Sequence, residues 1–244
     1  MRLTRIHVPT ELAVDKEILL PSGSANHLVR VLRLREGAGL IVFDGCGHEF
    51  SAEIVRIDGN KVTVRLSNQL SNKTESPLQI NLIQGISRGE RMDWTLQKAT
   101  ELGIHAISPV LTARSVVRLD DKQAEKKLEH WQAIVVGACE QSGRNTVPHL
   151  ATPTTLNQYL TNTEPTGLRL VLSPTAPASL AGLTRSPTKV DILIGPEGGL
   201  DDAEVLLAER VGFMPVRLGP RVLRTETASV VALSVLQALW GDLQ

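Results

Sequence analysis

Three short stretches of this sequence carry residue types that could do chemistry. In the first, Gly195, Pro196, Glu197, Gly198 and Gly199 leave an apolar run ending at Ile194 and lead to Asp201, with Glu204 three residues further on. That last spacing is a capping box, so the loop should join a strand to a helix. Three glycines in five residues let a backbone approach a ligand closely, at the strand end where open α/β sheets bind. A tight turn with no ligand would use the same residues. The loop is neither Gly-x-Gly-x-x-Gly nor a Walker sequence, and neither pattern occurs elsewhere, so dinucleotide and ATP sites lose their main support.

The second stretch runs Leu218, Gly219, Pro220, Arg221, Val222, Leu223, Arg224, Thr225, Glu226. It reads as a strand end, a Gly-Pro turn and a helix start. Arg224 and Glu226 flank a helix N-terminus whose free amides already favour anions. Glu226 alone would be an ordinary first-turn acid. Beside Arg224 it is a candidate for proton handling next to an anion-stabilising guanidinium. The third stretch, Ala138, Cys139, Glu140, Gln141, Ser142, Gly143, Arg144, Asn145, gathers polar groups at a helix C-terminus. It also reads as a solvated helix end with Arg144 complementing the dipole. His7, His27, His48, His105, His130 and His149 stand at no ligand spacing with one another, with Cys46 or Cys139, or with an acid, so no metal site is expected.

Elements able to position these groups follow from the periodicity. Up to about residue 66 the pattern is period two and rich in turns: an apolar run over 39–44, then Phe50, Ala52 and Ile54, then Val62, Val64 and Leu66, as in a small antiparallel sheet or barrel. One helix is expected inside it, capped by Ser22 or Ser24, with Leu28, Val31, Leu32 and Arg35 on one face and Arg30 and Arg33 together on another. The polar stretch 67–77 reads as an interdomain connection. Beyond it, apolar runs at 78–83, 104–110, 168–172, 190–194 and 214–218 alternate with helical spacings. Those spacings are Met92, Leu96, Ala99 and Leu102 ending at Gly103, then Leu128, Trp131, Val135, Ala138 and Cys139 ending at Gly143. A helix from about Asp201 and a last one over 225–240 complete the series. Alternating strands and helices imply a parallel sheet covered on both faces, hence an α/β fold.

Composition narrows the function. The chain has 244 residues with 26 basic and 26 acidic side chains, so attraction to nucleic acid must be local. Residues 1–72 hold nine bases and eight acids, yet Arg30 and Arg33, with Arg2, Arg5 and Arg35 near in sequence, could contact phosphates or form a solvated face. Three Phe, three Trp and Tyr159 are too few for a stacking platform, so RNA recognition would lean on arginines and shape. Two cysteines far apart argue for a reducing compartment. With no apolar signal core in residues 1–9, a cytoplasmic, membrane-free protein is expected.

Taken in order, Arg30-Val31-Leu32-Arg33, Gln97-Lys98-Ala99-Thr100-Glu101-Leu102-Gly103, the 138–144 segment, the 195–199 loop and the 218–228 segment resemble the bacterial RsmE family. Its members methylate N3 of a uridine in small-subunit ribosomal RNA. The likeness spans nearly the whole chain; Leu200 stands where relatives often carry an aromatic.

The resemblance implies a PUA-like β-barrel for RNA over residues 1–70. Over 74–244 it implies a SPOUT-type α/β domain whose parallel sheet is tied in a deep trefoil knot. S-adenosyl-L-methionine would be held bent by Leu172 and the loop after it, by Gly195, Pro196, Glu197, Gly198 and Gly199, and by Leu218, Gly219, Leu223 and Arg224. A homodimer is implied, each site completed by its partner. Apolar Val230, Val231, Leu233, Val235, Leu236 and Leu239 fit a last helix covered on more than one side, or packed within one subunit. The substrate would be one uridine of 16S ribosomal RNA on the assembled 30S subunit. Uracil N3 carries a proton at neutral pH, so the site must remove it and stabilise the anion. Arg224, alone or with the partner subunit's Arg144, is expected to stabilise that anion while Glu226 or Glu140 accepts the proton. Arg30, Arg33 and Arg144 would hold the RNA. Rival readings are a knotted methyltransferase for another nucleotide, a non-catalytic RNA-binding assembly factor, and a nucleotide-using metabolic enzyme, the last disfavoured by the missing phosphate motifs.

Overall fold

A computed structural model describes residues 3–116, 120–164 and 167–243; Arg2, grouped above with the other N-terminal arginines, lies outside them. The chain forms two compact units, one of Met1–Glu75 with Val136–Val147, the other of Ser76–Val135 with Pro148–Gln244.

In the first unit, β1 (Arg5–His7), β2 (Glu17–Leu19), β3 (Gly39–Phe43), β4 (Glu49–Asp58) and β5 (Lys61–Leu70) build a sheet of order β1-β3-β4-β5-β2. β1 pairs parallel to β3, and the other pairings are antiparallel. The alternation behaves as expected: Leu40, Val42, Phe50, Ala52, Ile54, Val62, Val64 and Leu66 are buried in one cluster. β5 runs on to Leu70, so the strand enters the stretch expected to be a connection.

The expected helix at Arg30 is replaced by something else. α1 covers only Ser22–Asn26, with Pro21 at its N-cap and no side-chain cap from either serine. A π-helical turn, His27–Val31, follows. Its wider winding breaks the 3.6 period on which the shared face of Leu28, Val31, Leu32 and Arg35 depended. Leu28 is buried, whereas Val31 and Leu32 face solvent, and Arg33 sits at φ +53°. Arg30 and Arg33 therefore do not share a helical face. Arg30 Nη2 instead donates to Asn60 Oδ1 at 3.1 Å.

The second unit contains β6 (Gln79–Gly85), α2 (Glu90–Glu101), β7 (Ala106–Leu111), the first part of α3 (Asp121–Ser142), β8 (His149–Leu150), β9 (Thr154–Thr155), α4 (Leu156–Asn162), β10 (Leu168–Leu172), β11 (Lys189–Ile194), α5 (Asp202–Arg210), β12 (Met214–Val216) and α6 (Thr225–Trp240). Its sheet has the order β12-β10-β11-β6-β7-β8, with β9 also on β7, and its pairings are parallel. Continuous burial along β11 agrees with a strand covered on both faces. Ile83, Val171 and Leu193 pack with α4 and α5 residues such as Tyr159, Leu160 and Ala208. Gln84, one residue out of phase with Ile83, turns the other way toward α6. In α6, Ala232, Leu233, Leu236 and Gln237 are buried, whereas Val230, Val231, Val235, Leu239 and Trp240 are half-buried. β12 ends at Val216, two residues earlier than expected, and α4 with its Thr155–Gln158 capping box was not anticipated. Among the described residues, no helix is long and apolar enough to cross a membrane.

Candidate functional site

Leu172, Ile194 and Val216 end β10, β11 and β12, and the loops that follow them enclose a cleft of about 590 Å³ with the N-termini of α5 and α6. That volume is in the range of small-molecule sites. The cleft gathers the two glycine loops read from the sequence: Gly195, Pro196, Glu197, Gly198 and Gly199 on one side, Leu218 and Gly219 on the other, with Leu172, Leu223, Arg224 and Glu226 between.

The fold of the first loop follows from local chemistry. Asp201 Oδ1 accepts the Glu204 amide at 2.7 Å, and Glu204 Oε2 accepts the Asp201 amide at 3.0 Å, which starts α5 and fixes where the loop must end. The glycine at 195 is required by the loop itself, because a Cβ there would lie 2.8 Å from Gly199 C and Leu200 N. Gly219, at φ +129°, turns the second loop in a conformation that side chains disfavour.

A buried polar cluster joins the loops, and sequence reading missed it. Thr225 Oγ1 donates to Gly195 O at 2.6 Å and accepts from Gln84 Nε2 at 3.1 Å. Ser229 Oγ lies 2.7 Å from Gln84 Oε1 and 2.9 Å from Thr225 O, and its one proton can serve only one of them at a time. Gln84, Thr225 and Ser229 are all buried. Three hydroxyl and amide groups thus fasten β6, the loop after β11 and the first turn of α6 into one piece. The available signal was a glutamine directly after the apolar pair Leu82-Ile83 at the end of a strand, since a polar group buried there demands partners.

Charge around the cleft is also organised. Burial pushes the Glu197 carboxyl up, but the Arg88 backbone amide, its own amide and the Arg91 guanidinium together hold it below the ordinary value. Glu197 Oε1 accepts from Arg88 N and Arg91 Nη1, each at 2.9 Å. Arg114 Nη1 donates to Gly198 O at 3.1 Å, and Arg217 Nη1 donates to the carbonyls of Ala176 (2.6 Å) and Pro177, bracing the loop after β10. None of Arg91, Arg114 or Arg217 was anticipated. Arg224 is the N-cap residue of α6, and Glu226 lies in its first turn. Glu226 Oε2 is buried without a hydrogen-bond partner among the described residues.

Glu140 and Arg144 belong to the first unit and do not line this cleft. The expected solvated helix end is corrected: Arg144 and Asn145 are each only 3% exposed. Arg144 forms a two-pronged pair with Glu75, Nε to Oε1 at 3.0 Å and Nη2 to Oε2 at 2.5 Å. Its carbonyl accepts from Arg5 Nη2 at 3.2 Å, and Arg5 is itself paired with Glu49 at 2.6 Å. Glu140 Oε1 accepts the His7 amide at 3.0 Å, while burial raises its carboxyl above the ordinary value. Arg30 and Arg33 are exposed in the same unit.

Comparison with known proteins agrees with this architecture. Residues 74–237 match the family described as RNA methyltransferase domain, and residues 20–67 the RNA methyltransferase PUA domain. The ribosomal RNA small subunit methyltransferase E of Buchnera aphidicola (subsp. Schizaphis graminum) is 33% identical over 99% of this chain and 98% of its own. The protein of that name in Bacillus subtilis is 36% identical over 89% and 90%. Two solved structures cover the whole of this chain and are covered by it: a Legionella pneumophila protein in complex with the bound cofactor SAM (42% identity, TM-score 0.95), and the Neisseria gonorrhoeae ribosomal RNA small subunit methyltransferase E bound to S-adenosyl methionine (37%, 0.93). A parallel α/β unit with its cleft at the strand ends, a PUA-like unit ahead of it, and relatives alike from end to end place this chain in the RNA methyltransferase family of the small subunit methyltransferase E, or RsmE, proteins.

Proposed function

We propose that this protein is an S-adenosylmethionine-dependent methyltransferase that modifies N3 of one uridine in 16S ribosomal RNA, acting on the assembled 30S subunit in the cytoplasm. The observation that carries the reading is the convergence of segments 195–199 and 218–224 on one cleft in a chain of this family. The cleft fits such a cofactor. Leu172, Leu218 and Leu223 give an apolar wall for a flat base, and Glu197 and Glu226 supply carboxylates for a cation. The buried, unpartnered Oε2 of Glu226 is an acceptor that a cationic or proton-bearing ligand would satisfy.

Leu172, Gly195, Pro196, Glu197, Gly198, Gly199, Leu218, Gly219, Leu223 and Arg224 would hold the cofactor, which when bound supplies an electrophilic methyl carbon on a sulfonium. Transfer to nitrogen is a direct displacement, so the chain's first contribution is alignment. Its second is charge. Glu226 takes the N3 proton, directly or through water, and Arg224 stabilises the negative charge that spreads onto the uracil oxygens. In the homodimer that we infer, each site is completed by the partner subunit's Glu140, whereas Arg144, 3% exposed and held by Glu75, stays within its own unit and drops out of that role.

Residues 1–70 serve as a PUA-like RNA-binding barrel, with Arg30 and Arg33 as contacts and Arg144 withdrawn from RNA by its buried pair with Glu75, and 74–244 as a SPOUT domain with a deep trefoil knot. The path from edge strand β12 to α6, which packs on α2 and reaches β11, supports a threaded connection. The test is incubation with labelled S-adenosylmethionine and 30S particles from cells lacking the activity, then mapping of the modified nucleotide. Label at uridine N3 in 16S RNA is expected; label on another base, or none, defeats the reading.

A further inference from the structure

The turn at 27–35 is built to project two aliphatic side chains. Leu32 N donates to His27 O and Leu34 N to Leu28 O, both at 3.0 Å, closing a turn wider than an α-helix. Leu28 is fully buried, with Val29 and Leu34 packed against the same core, so the turn is anchored on both sides. Between the anchors, Val31 is 65% exposed and Leu32 40%. Arg33 follows at φ +53°, a conformation that non-glycine residues rarely hold and that tends to persist where function needs it. Arg30, Arg33 and Arg35 are exposed around the pair, and residues 18–35 contain no acid.

We infer that this turn is an RNA wedge: Val31 and Leu32 pack against unpaired bases while Arg30, Arg33 and Arg35 hold the neighbouring phosphates. The inference rests on the RNA-methyltransferase reading and adds the class of RNA structure the first unit selects. Aliphatic groups gain nothing from a continuous A-form duplex, whose bases are stacked and whose major groove is closed to side chains. They gain from bases already splayed in a loop or junction, as apolar wedges do between unstacked steps of DNA. The arginines name the occupant, because three exposed guanidinium groups, none in an ion pair among the described residues, complement a polyanion better than a second copy of a chain with zero net charge.

The test uses the full-length protein and two fluorescein-labelled RNAs of equal length, a hairpin with an unpaired loop and a perfect duplex, read by anisotropy across a salt series. The double substitution Val31→Ser, Leu32→Ser should weaken hairpin binding by roughly tenfold, given the aliphatic area involved, and leave duplex binding and the salt slope unchanged. Arg30→Gln, Arg33→Gln, Arg35→Gln should weaken both RNAs and flatten the slope by about two to three. Hairpin affinity unchanged in the aliphatic variant, or lost equally on hairpin and duplex, overturns the wedge. So does a changed sedimentation coefficient, which makes the pair a subunit contact, or early thermal unfolding, which makes it core. Absence of methyl transfer by the unaltered protein would sink the function proposed above, while the comparison of hairpin and duplex still decides the wedge.

Discussion

Replacing Thr225 by valine tests whether one buried hydroxyl ties the two sides of the cleft together. Valine keeps the shape and removes both hydrogen bonds of Oγ1, the 2.6 Å one to Gly195 O and the 3.1 Å one from Gln84 Nε2. Thr225 is 6% exposed, so water cannot easily replace what is lost. The consequences for the two former partners differ. Gln84 Nε2 retains Gly85 O at 3.0 Å, so it loses only a net hydrogen bond, about 1 kcal/mol. Gly195 O keeps only a 3.5 Å approach from Gln84 Nε2, so it bears most of an unsatisfied-acceptor penalty of about 1–3 kcal/mol. The total is roughly 2–4 kcal/mol if the loop holds its place, and about 3 kcal/mol lowers Tm by about 6–12 °C in a chain of this size. If the loop instead relaxes outward, part of that energy moves from stability to ligand affinity. Thermal unfolding and calorimetric titration with S-adenosylmethionine should therefore be measured on the same preparation, with Ser229→Ala as a second disruption that leaves Gln84 Oε1 without its donor. A Thr225→Val protein within 0.5 °C of the unaltered Tm (below about 0.3 kcal/mol) and with unchanged affinity would refute the argument that this cluster shapes the site.

Arg224→Ala should lower turnover by about 10² to 10³, as loss of a preorganised charged donor does, with a smaller effect on cofactor affinity; near-native turnover removes Arg224 from the chemistry. Burial pushes the Glu197 carboxyl up, but three donors hold it below the ordinary 4.5, so its ionised form contributes stability that is present above about pH 4.5 and lost as pH falls through the lower folded value. Glu197→Gln should accordingly trail the unaltered protein near neutrality and converge with it in acid, and stability curves that run parallel across that window contradict the assignment. The Cys139 thiol is buried and pushed up to about 12, chiefly by that burial, while Cys46 is exposed. A thiol reagent at pH 8 should modify one cysteine per native chain quickly, and two fast thiols would show that the α3 end opens.

What the sequence revealed and what it hid divide by the distance over which the causes act. The α5 start was legible because Asp201 and Glu204 are three residues apart and satisfy each other's backbone, and α6 occupies the residues its periodicity marked. The two glycine loops were legible because each follows an apolar strand directly, and a parallel sheet brings its strand ends to one side. Arg144 was misread as solvated because its partner, Glu75, lies 69 residues away, and nothing local announces a buried pair. The role of Gln84 was hidden for the same reason, since Thr225 is 141 residues further along. The error at Arg30 and Arg33 has a different origin. A helical-period argument assumes a constant 3.6 residues per turn, and one π turn shifts every later side chain by most of a residue. That shift exchanges the expected faces, turning Val31 and Leu32 outward where the periodicity had placed them inward. An amphipathic pattern that fails in this way marks a place where burial was given up, and two aliphatic side chains left in water beside exposed arginines are what such a loss would leave if a ligand, rather than the core, were to cover them.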